Sequence, residues 1–167
     1  MAEGQSKCRI WRMGINMNVV DIAKSQLGYQ EVGKSNDSMY GKWYGLNNNP
    51  WCAMFVSWCF DQARLSDKIA AQTKKGFASC QAGLKWFGQK NKLVPVGKAQ
   101  PGDIVFFQFD ADAEADHVGI CASNDGKKYL TVYEGNTSGD NKGSQSNGDG
   151  VYLKKRAYSL VMGVARP

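Results

Sequence analysis

Residues 47–59 read NNNPWCAMFVSWC. Asn49 suits the cap of a helix and Pro50 its first turn, because a helix start leaves unpaired the very N–H that proline lacks. Cys52 then falls in the first helical turn. Onward to about Ala63 the segment is apolar nearly all round, with Cys52, Val56, Cys59 and Ala63 on one face and Met54, Phe55 and Trp58 beside it. A helix with no polar face is expected to be buried, and this one becomes the centre of the fold.

On its N-terminal side, Val19, Val20, Ile22, Ala23 and Leu27 keep helical spacing, and Gly28 sits where that helix would stop. Residues 33–49 are rich in Gly, Tyr and Asn and are expected to form a loop. Residues 1–16 show no clear periodicity and are expected to be a flexible extension, which leaves 17–167 as one folded domain. On the C-terminal side, Ser79 can cap a third helix running through Leu84, Trp86 and Phe87, and Gln100-Pro101-Gly102-Asp103 suits a type II turn. Beyond that turn, 104–109, 117–122, 129–136, 151–157 and 160–165 are short β-branched or aromatic runs separated by turn residues. Residues 138–150 are rich in Gly, Ser and Asn and are expected to be a mobile hairpin loop. Helices first and strands after predict an α+β fold, with N-terminal helices packed on a C-terminal antiparallel sheet.

Composition narrows the function classes. A chain of 167 residues that is 43% hydrophobic can bury a core without metal or disulfides. No window approaches the roughly twenty apolar residues of a membrane span, and the start lacks the apolar core of a signal peptide. The expectation is a monomer made in a reducing cytoplasm, without membrane insertion. Five cysteines (Cys8, Cys52, Cys59, Cys80, Cys121) at wide, irregular spacings read as thiols with at least one free, and not as a disulfide framework. With one histidine and no CxxC pair, neither a zinc site nor any cofactor is expected. The net charge of +6 is dispersed, so Lys74-Lys75 and Lys154-Lys155-Arg156 read as solvated surface. No nucleic-acid module is present; a polyanionic surface is the better partner.

Cys52 stands out chemically. The start of a helix carries partial positive charge and unpaired N–H groups, which stabilise a thiolate and pull its pKa below the free value of about 8.5. Cys59, Cys80 and Cys121 read more simply as core. A thiol nucleophile needs a base, and the single histidine, His117, opens a strand. If Asp125-Gly126 forms the tip of a two-residue hairpin turn, Asn124 pairs with Lys127 and, counting outward, His117 pairs with Glu134. Asn136, two residues further, shares that face. One face would then carry an imidazole and two groups able to orient it.

The stretches WCAMFVSWC, KAQPGDIVFF, DHVGI and YEGN, with the closing GVARP, resemble CHAP domains, the cysteine and histidine-dependent amidohydrolases and peptidases of phage endolysins and bacterial wall enzymes. The resemblance spans about residues 17–167 and implies a papain-like fold that hydrolyses an amide bond of peptidoglycan. Carried over, the nucleophile falls on Cys52, the general base on His117, the orienting acid on Glu134 and a further polar site residue on Asn136. The setting it implies is a phage endolysin; a CHAP amidase for a small-molecule amide and an inactive wall-binding module are the rivals. Trp43, Tyr44, Trp51 and Tyr133 flank these motifs and are candidates either for a substrate groove or for core packing. Some CHAP domains carry calcium on acidic residues ahead of the nucleophile, but KWYGLNNNPW has none. Asp110, Asp112, Glu114 and Asp116 alternate without the Gly and Glu of an EF-hand loop and read as a solvated loop.

Overall fold

The computed structural model describes residues 17–167. Residues 1–16, expected to be an extension, lie outside them together with Cys8. Helix α1 (Val19–Ser25) starts at Asn18, whose side chain accepts the Asp21 N–H at 2.9 Å. Inside the segment expected to be loop, a short helix α2 (Met39–Tyr44) forms instead. Ser38 caps it by accepting the Gly41 N–H at 2.9 Å, and Gly45 ends it at φ 100°. Its six residues are too few to show helical periodicity in a sequence.

The central helix α3 (Cys52–Gln62) begins later than the Asn49-Pro50 reading predicts, with Trp51 as its cap and Cys52 as its first residue. The side-chain amide of Asn49 is spent elsewhere, donating to the carbonyls of Leu46 at 3.2 Å and Asn47 at 3.1 Å. Asn competes for nearby backbone groups as readily as it caps, which is why the start slipped. Helix α4 (Cys80–Gln89) does start from Ser79, which accepts the Ala82 N–H.

The strands are β1 (Leu93–Val94), β2 (Ile104–Phe107), β3 (His117–Asn124), β4 (Tyr129–Thr137), β5 (Gly150–Ala157) and β6 (Val161–Ala165). They form one six-stranded sheet in the order β1-β6-β2-β3-β4-β5, with every neighbouring pair antiparallel. The expected turn precedes β2: the Asp103 N–H reaches the Gln100 carbonyl at 3.0 Å, and Gly102 takes the φ of 94° that a type II turn requires. Helix α3 packs on β3 and β4, burying Met54, Phe55, Val56 and Cys59 with Ile104, Phe106, Val118, Ile120 and Tyr133. Alternate strand residues, Val105, Phe107, Cys121, Leu130, Val132 and Val164, fill a second cluster on the opposite sheet face. No helix among the described residues is long and apolar enough to cross a membrane.

The β3–β4 register corrects the hairpin expectation. Asp125 Oδ1 accepts the N–H groups of Lys127, Lys128 and Tyr129 at 2.8, 2.8 and 3.0 Å, which builds a wider turn than two residues. A bulge between Cys121 and Ser123 shifts the ladder again, so that Ile120 faces Tyr133. One step outward Gly119 faces Glu134, and His117 meets Glu134 diagonally.

Candidate active site

His117 is the first residue of β3 and is wholly buried, as are Glu134 and Asn136. Despite the shifted register, His117 Nε2 lies 2.8 Å from Glu134 Oε1. Gly119 makes this diagonal contact possible. A Cβ there would stand 2.6 Å from the Tyr133 carbonyl oxygen and 2.8 Å from Glu134 Cγ, so any side chain would push the carboxylate away. Same-face diagonal neighbours in a sheet are within reach of long side chains, which is how the pair survives a register that direct opposition would have forbidden.

Glu134 has a second partner that sequence reasoning missed. Arg156 Nε donates to Oε2 at 2.9 Å and Nη2 donates to Oε1 at 2.6 Å, a two-pronged bond between buried groups. The guanidinium also lies over Phe109, 4.9 Å from its centroid, and its Nη1 donates to Gln145 Oε1. The cluster expected to be solvated, Lys154-Lys155-Arg156, is therefore split by strand alternation: Lys154 and Arg156 are buried while Lys155 is exposed. Period-two alternation in β5 was the available signal. Arg156 sits opposite Leu130, however, and only its length carries it to Glu134.

Loop 138–150, expected to be mobile, is tied to this region. Lys154 Nζ donates to the Ser138 carbonyl at 2.7 Å, Thr137 Oγ1 donates to the Gln145 carbonyl at 2.8 Å, and Gln145 accepts from Arg156.

Cys52 stands at the start of α3, 4% exposed. Burial would raise its thiol, but a hydrogen bond from Cys80 foremost, then the His117 imidazole and the Ala53 N–H, hold it well below the ordinary range. Burial likewise opposes the imidazolium of His117. The Glu134 carboxylate and the Cys52 thiol outweigh it and raise His117 to about 9. Glu134 shows the same contest: burial pushes it up, and Arg156 and His117 bring it below the usual carboxylate value. His117 Nδ1 is buried without a hydrogen-bond partner of good geometry, yet it is near enough for hydrogen bonding and charge together to lower Cys52 and raise His117. The arrangement favours a thiolate beside an imidazolium.

Asn136 does not join His117 as expected. It takes a left-handed φ of 56°, and its Oδ1 accepts the Trp51 N–H at 3.1 Å while its Nδ2 donates to the Gly148 carbonyl and Asn36 Oδ1 at 2.9 and 3.1 Å. It fixes the residue before Cys52. Gly135 beside it lets α3 approach β4, since a Cβ would lie 2.7 Å from Trp51 and Phe55 side-chain atoms. Thus YEGN in β4 carries a carboxylate for His117, a gap for the helix and an amide for the helix start.

Of the aromatic groove candidates, Trp51 is 0% exposed, stacks on Tyr40 and donates its Nε1–H to Glu31 at 2.9 Å. Tyr44 and Tyr133 are buried in the same core. These three rings pack in the core, the second of the two roles open to them. Trp43 alone is partly exposed, with Lys75 Nζ 5.4 Å from its ring centroid. Cys59 and Cys121 are core as expected, but Cys80 is not simply core, since its Sγ lies 3.5 Å from that of Cys52.

Among the described residues, Asp110, Asp112 and Asp116 form the one group able to gather ligand atoms for a metal, within 4.8 Å of one another. Each already accepts local backbone N–H groups, for example Asp116 Oδ2 from Phe109 at 2.6 Å. That loop precedes the His117 strand and does not enter the thiol–imidazole contact.

Helices ahead of an antiparallel sheet, with the thiol on the central helix and the imidazole on the sheet, make this a papain-like fold. The model of the CHAP domain matches residues 43–136, more than half of the chain, and the chain belongs to that family. Its members are generally hydrolases, amidases or peptidases associated with peptidoglycan. No curated protein matches the chain.

Proposed function

We propose that this chain is a cysteine-dependent peptidoglycan hydrolase, residues 17–167 being its catalytic domain, with Cys52 as nucleophile, His117 as general acid and base, and Glu134 as the orienting carboxylate. The observation that carries this reading is the anchored imidazole: Nε2 is held by Glu134 at 2.8 Å, which leaves Nδ1 unpartnered for the Cys52 thiol. The Cys52 thiolate attacks the amide carbonyl carbon, and the oxygen that gains charge is met by the Cys52 backbone N–H, which at a helix start has no intrahelical acceptor. His117 gives its Nδ1 proton to the departing amine, leaving a thioester. It then takes a proton from water, whose oxygen attacks the thioester and expels the thiolate. Asn136 acts on position, through the Trp51 N–H. Trp43 is the remaining candidate for substrate contact.

The positive charge favours an anionic wall surface. The setting that accompanies this reading is a phage endolysin, made in a host bacterium and released to its wall.

Cys52→Ala tests the proposal. Turbidity of purified cell walls should no longer fall, while the melting midpoint stays near wild type. Wall digestion by Cys52→Ala would overturn the mechanism. Mass spectrometry of fragments released by the wild-type chain assigns the bond cut: stem peptides with a free N-terminal L-alanine mark muramoyl amidase action, and any other new N-terminus marks cleavage within the stem or cross-bridge.

A further inference from the structure

Two thiols meet at the site, and the hydrolytic cycle needs only one. Cys52 Sγ, at the first residue of α3, lies 3.5 Å from Cys80 Sγ, at the first residue of α4. They come from separate helices and are far apart in sequence. Exposure distinguishes them from the remaining described cysteines: Cys52 is 4% and Cys80 9% exposed, whereas Cys59 and Cys121 are 0%. Among the described cysteines this pair is the least enclosed.

We propose that Cys52 and Cys80 form a reversible oxidation site, in which hydrogen peroxide converts the two thiols into a disulfide that a dithiol reopens. A disulfide bond is about 2.0 Å long, so the sulfurs must close by roughly 1.5 Å. Both cysteines sit at helix starts, where side chains and the adjoining loop can adjust without breaking an interior helical turn.

The charge state suits the first step. With Sγ atoms 3.5 Å apart either thiol can donate; the lowered Cys52 and raised Cys80 favour the thiolate on Cys52 with the proton on Cys80. The Cys52 thiolate attacks a peroxide oxygen: the S–O bond forms, the O–O bond breaks, and the departing hydroxide takes the proton held on His117 and leaves as water. Sulfur loses two electrons and the peroxide gains them. Cys80 sulfur then attacks the sulfenic sulfur of Cys52. The S–S bond forms, the S–O bond breaks, and the hydroxide released takes the Cys80 proton. In sum, two thiols and one peroxide give one disulfide and two waters. Without a second thiol in contact, a sulfenic acid is open to further, irreversible oxidation. Cys80 therefore protects the nucleophile as well as silencing it.

The loss of hydrolysis in the oxidised state rests on the nucleophile role proposed above; formation of the bridge does not. In the test, the full chain is treated with hydrogen peroxide, remaining thiols are alkylated under denaturing conditions, and non-reduced peptides are mapped by mass spectrometry. The expected result is a cross-linked peptide pair joining Cys52 to Cys80, with wall hydrolysis lost in proportion and restored by dithiothreitol. In Cys80→Ala, peroxide should drive Cys52 to sulfinic and sulfonic acid, and the fraction of its own untreated activity that dithiothreitol restores should be about tenfold smaller than the fraction restored in wild type. Should that variant fail to fold, the wild-type map decides alone. Cys52 over-oxidised beside an alkylated Cys80, or bridged to Cys8 instead, overturns the oxidation site even if Cys52→Ala is inactive. A Cys52–Cys80 bridge that leaves hydrolysis intact upholds the oxidation site and overturns the nucleophile role.

Discussion

Two arginine–carboxylate pairs of nearly equal geometry fasten the sheet. Arg156 holds Glu134 at 2.9 and 2.6 Å, and Arg166 holds Asp103 at 3.0 and 2.8 Å. Their surroundings differ. The side chains of the first pair are 5% and 0% exposed, while Arg166 is 39% exposed. The Asp103 side chain is buried, at 5% exposed, but water reaches Arg166 and weakens the second pair, which pins the end of β6 to the turn before β2. In the first, both side chains are shut off from solvent and the Glu134 charge is set by its neighbours, which allows it to act on His117. Similar hydrogen bonds therefore close a fold in one place and tune a proton in the other.

Removing the charge from each carboxylate should separate the two regions most sharply. Glu134→Gln keeps the shape but loses the charge that raises His117, and wall hydrolysis is expected to fall by about two to four orders of magnitude, as when a triad loses its orienting carboxylate. Asp103→Asn should stay within about threefold of wild-type hydrolysis, since its partner is screened. Comparable losses from both would abolish the distinction.

The next largest effect is on stability. Arg156→Met leaves Glu134 buried without its cation and should cost about 3–5 kcal/mol in denaturant unfolding. Adding Glu134→Gln to Arg156→Met should restore part of that stability and none of the activity. If the single variant unfolds like wild type, the buried pair is not what organises the region.

A smaller effect concerns pH. With His117 raised to about 9, the imidazolium needed to protonate the leaving amine is lost above that value, so the rate of wall hydrolysis should fall as pH rises through about 9. Glu134→Gln removes the largest influence raising His117 and should move this limb to lower pH. Stability follows the same sign. The folded value exceeds the unfolded value of about 6.5, so the contribution of His117 is complete below about 6.5 and lost as pH climbs through about 9. Melting curves across that window measure it. Least of all should Arg166→Ala matter: its melting midpoint is expected within about 4 °C of wild type, with hydrolysis unchanged.

Much of this division can be read before folding. The buried central helix follows from an apolar run that offers no polar face, and the cap at Ser79 and the type II turn at Gly102 follow from local backbone chemistry. Helix α2 was hidden only by its brevity, although Ser38 and Gly45 mark both its ends. His117 and Glu134 were legible as partners from strand parity, because diagonal and direct neighbours share a face; the register itself was not. It depended on Asp125 gathering three N–H groups and on a bulge near Cys121, which are settled by the competition among local hydrogen bonds.

By itself the sequence determined the order of helices and strands, the family and the thiol at a helix start, since these rest on neighbours within a few residues. Only the tertiary structure decided that Asn136 serves the helix start, that Trp51 is core, that Arg156 is buried on Glu134 and that Cys80 touches Cys52. Each of these joins residues far apart in the chain, through side chains whose reach depends on how closely helix and sheet approach. That approach is set by packing, here by the absence of side chains at Gly119 and Gly135, and no local pattern reports it.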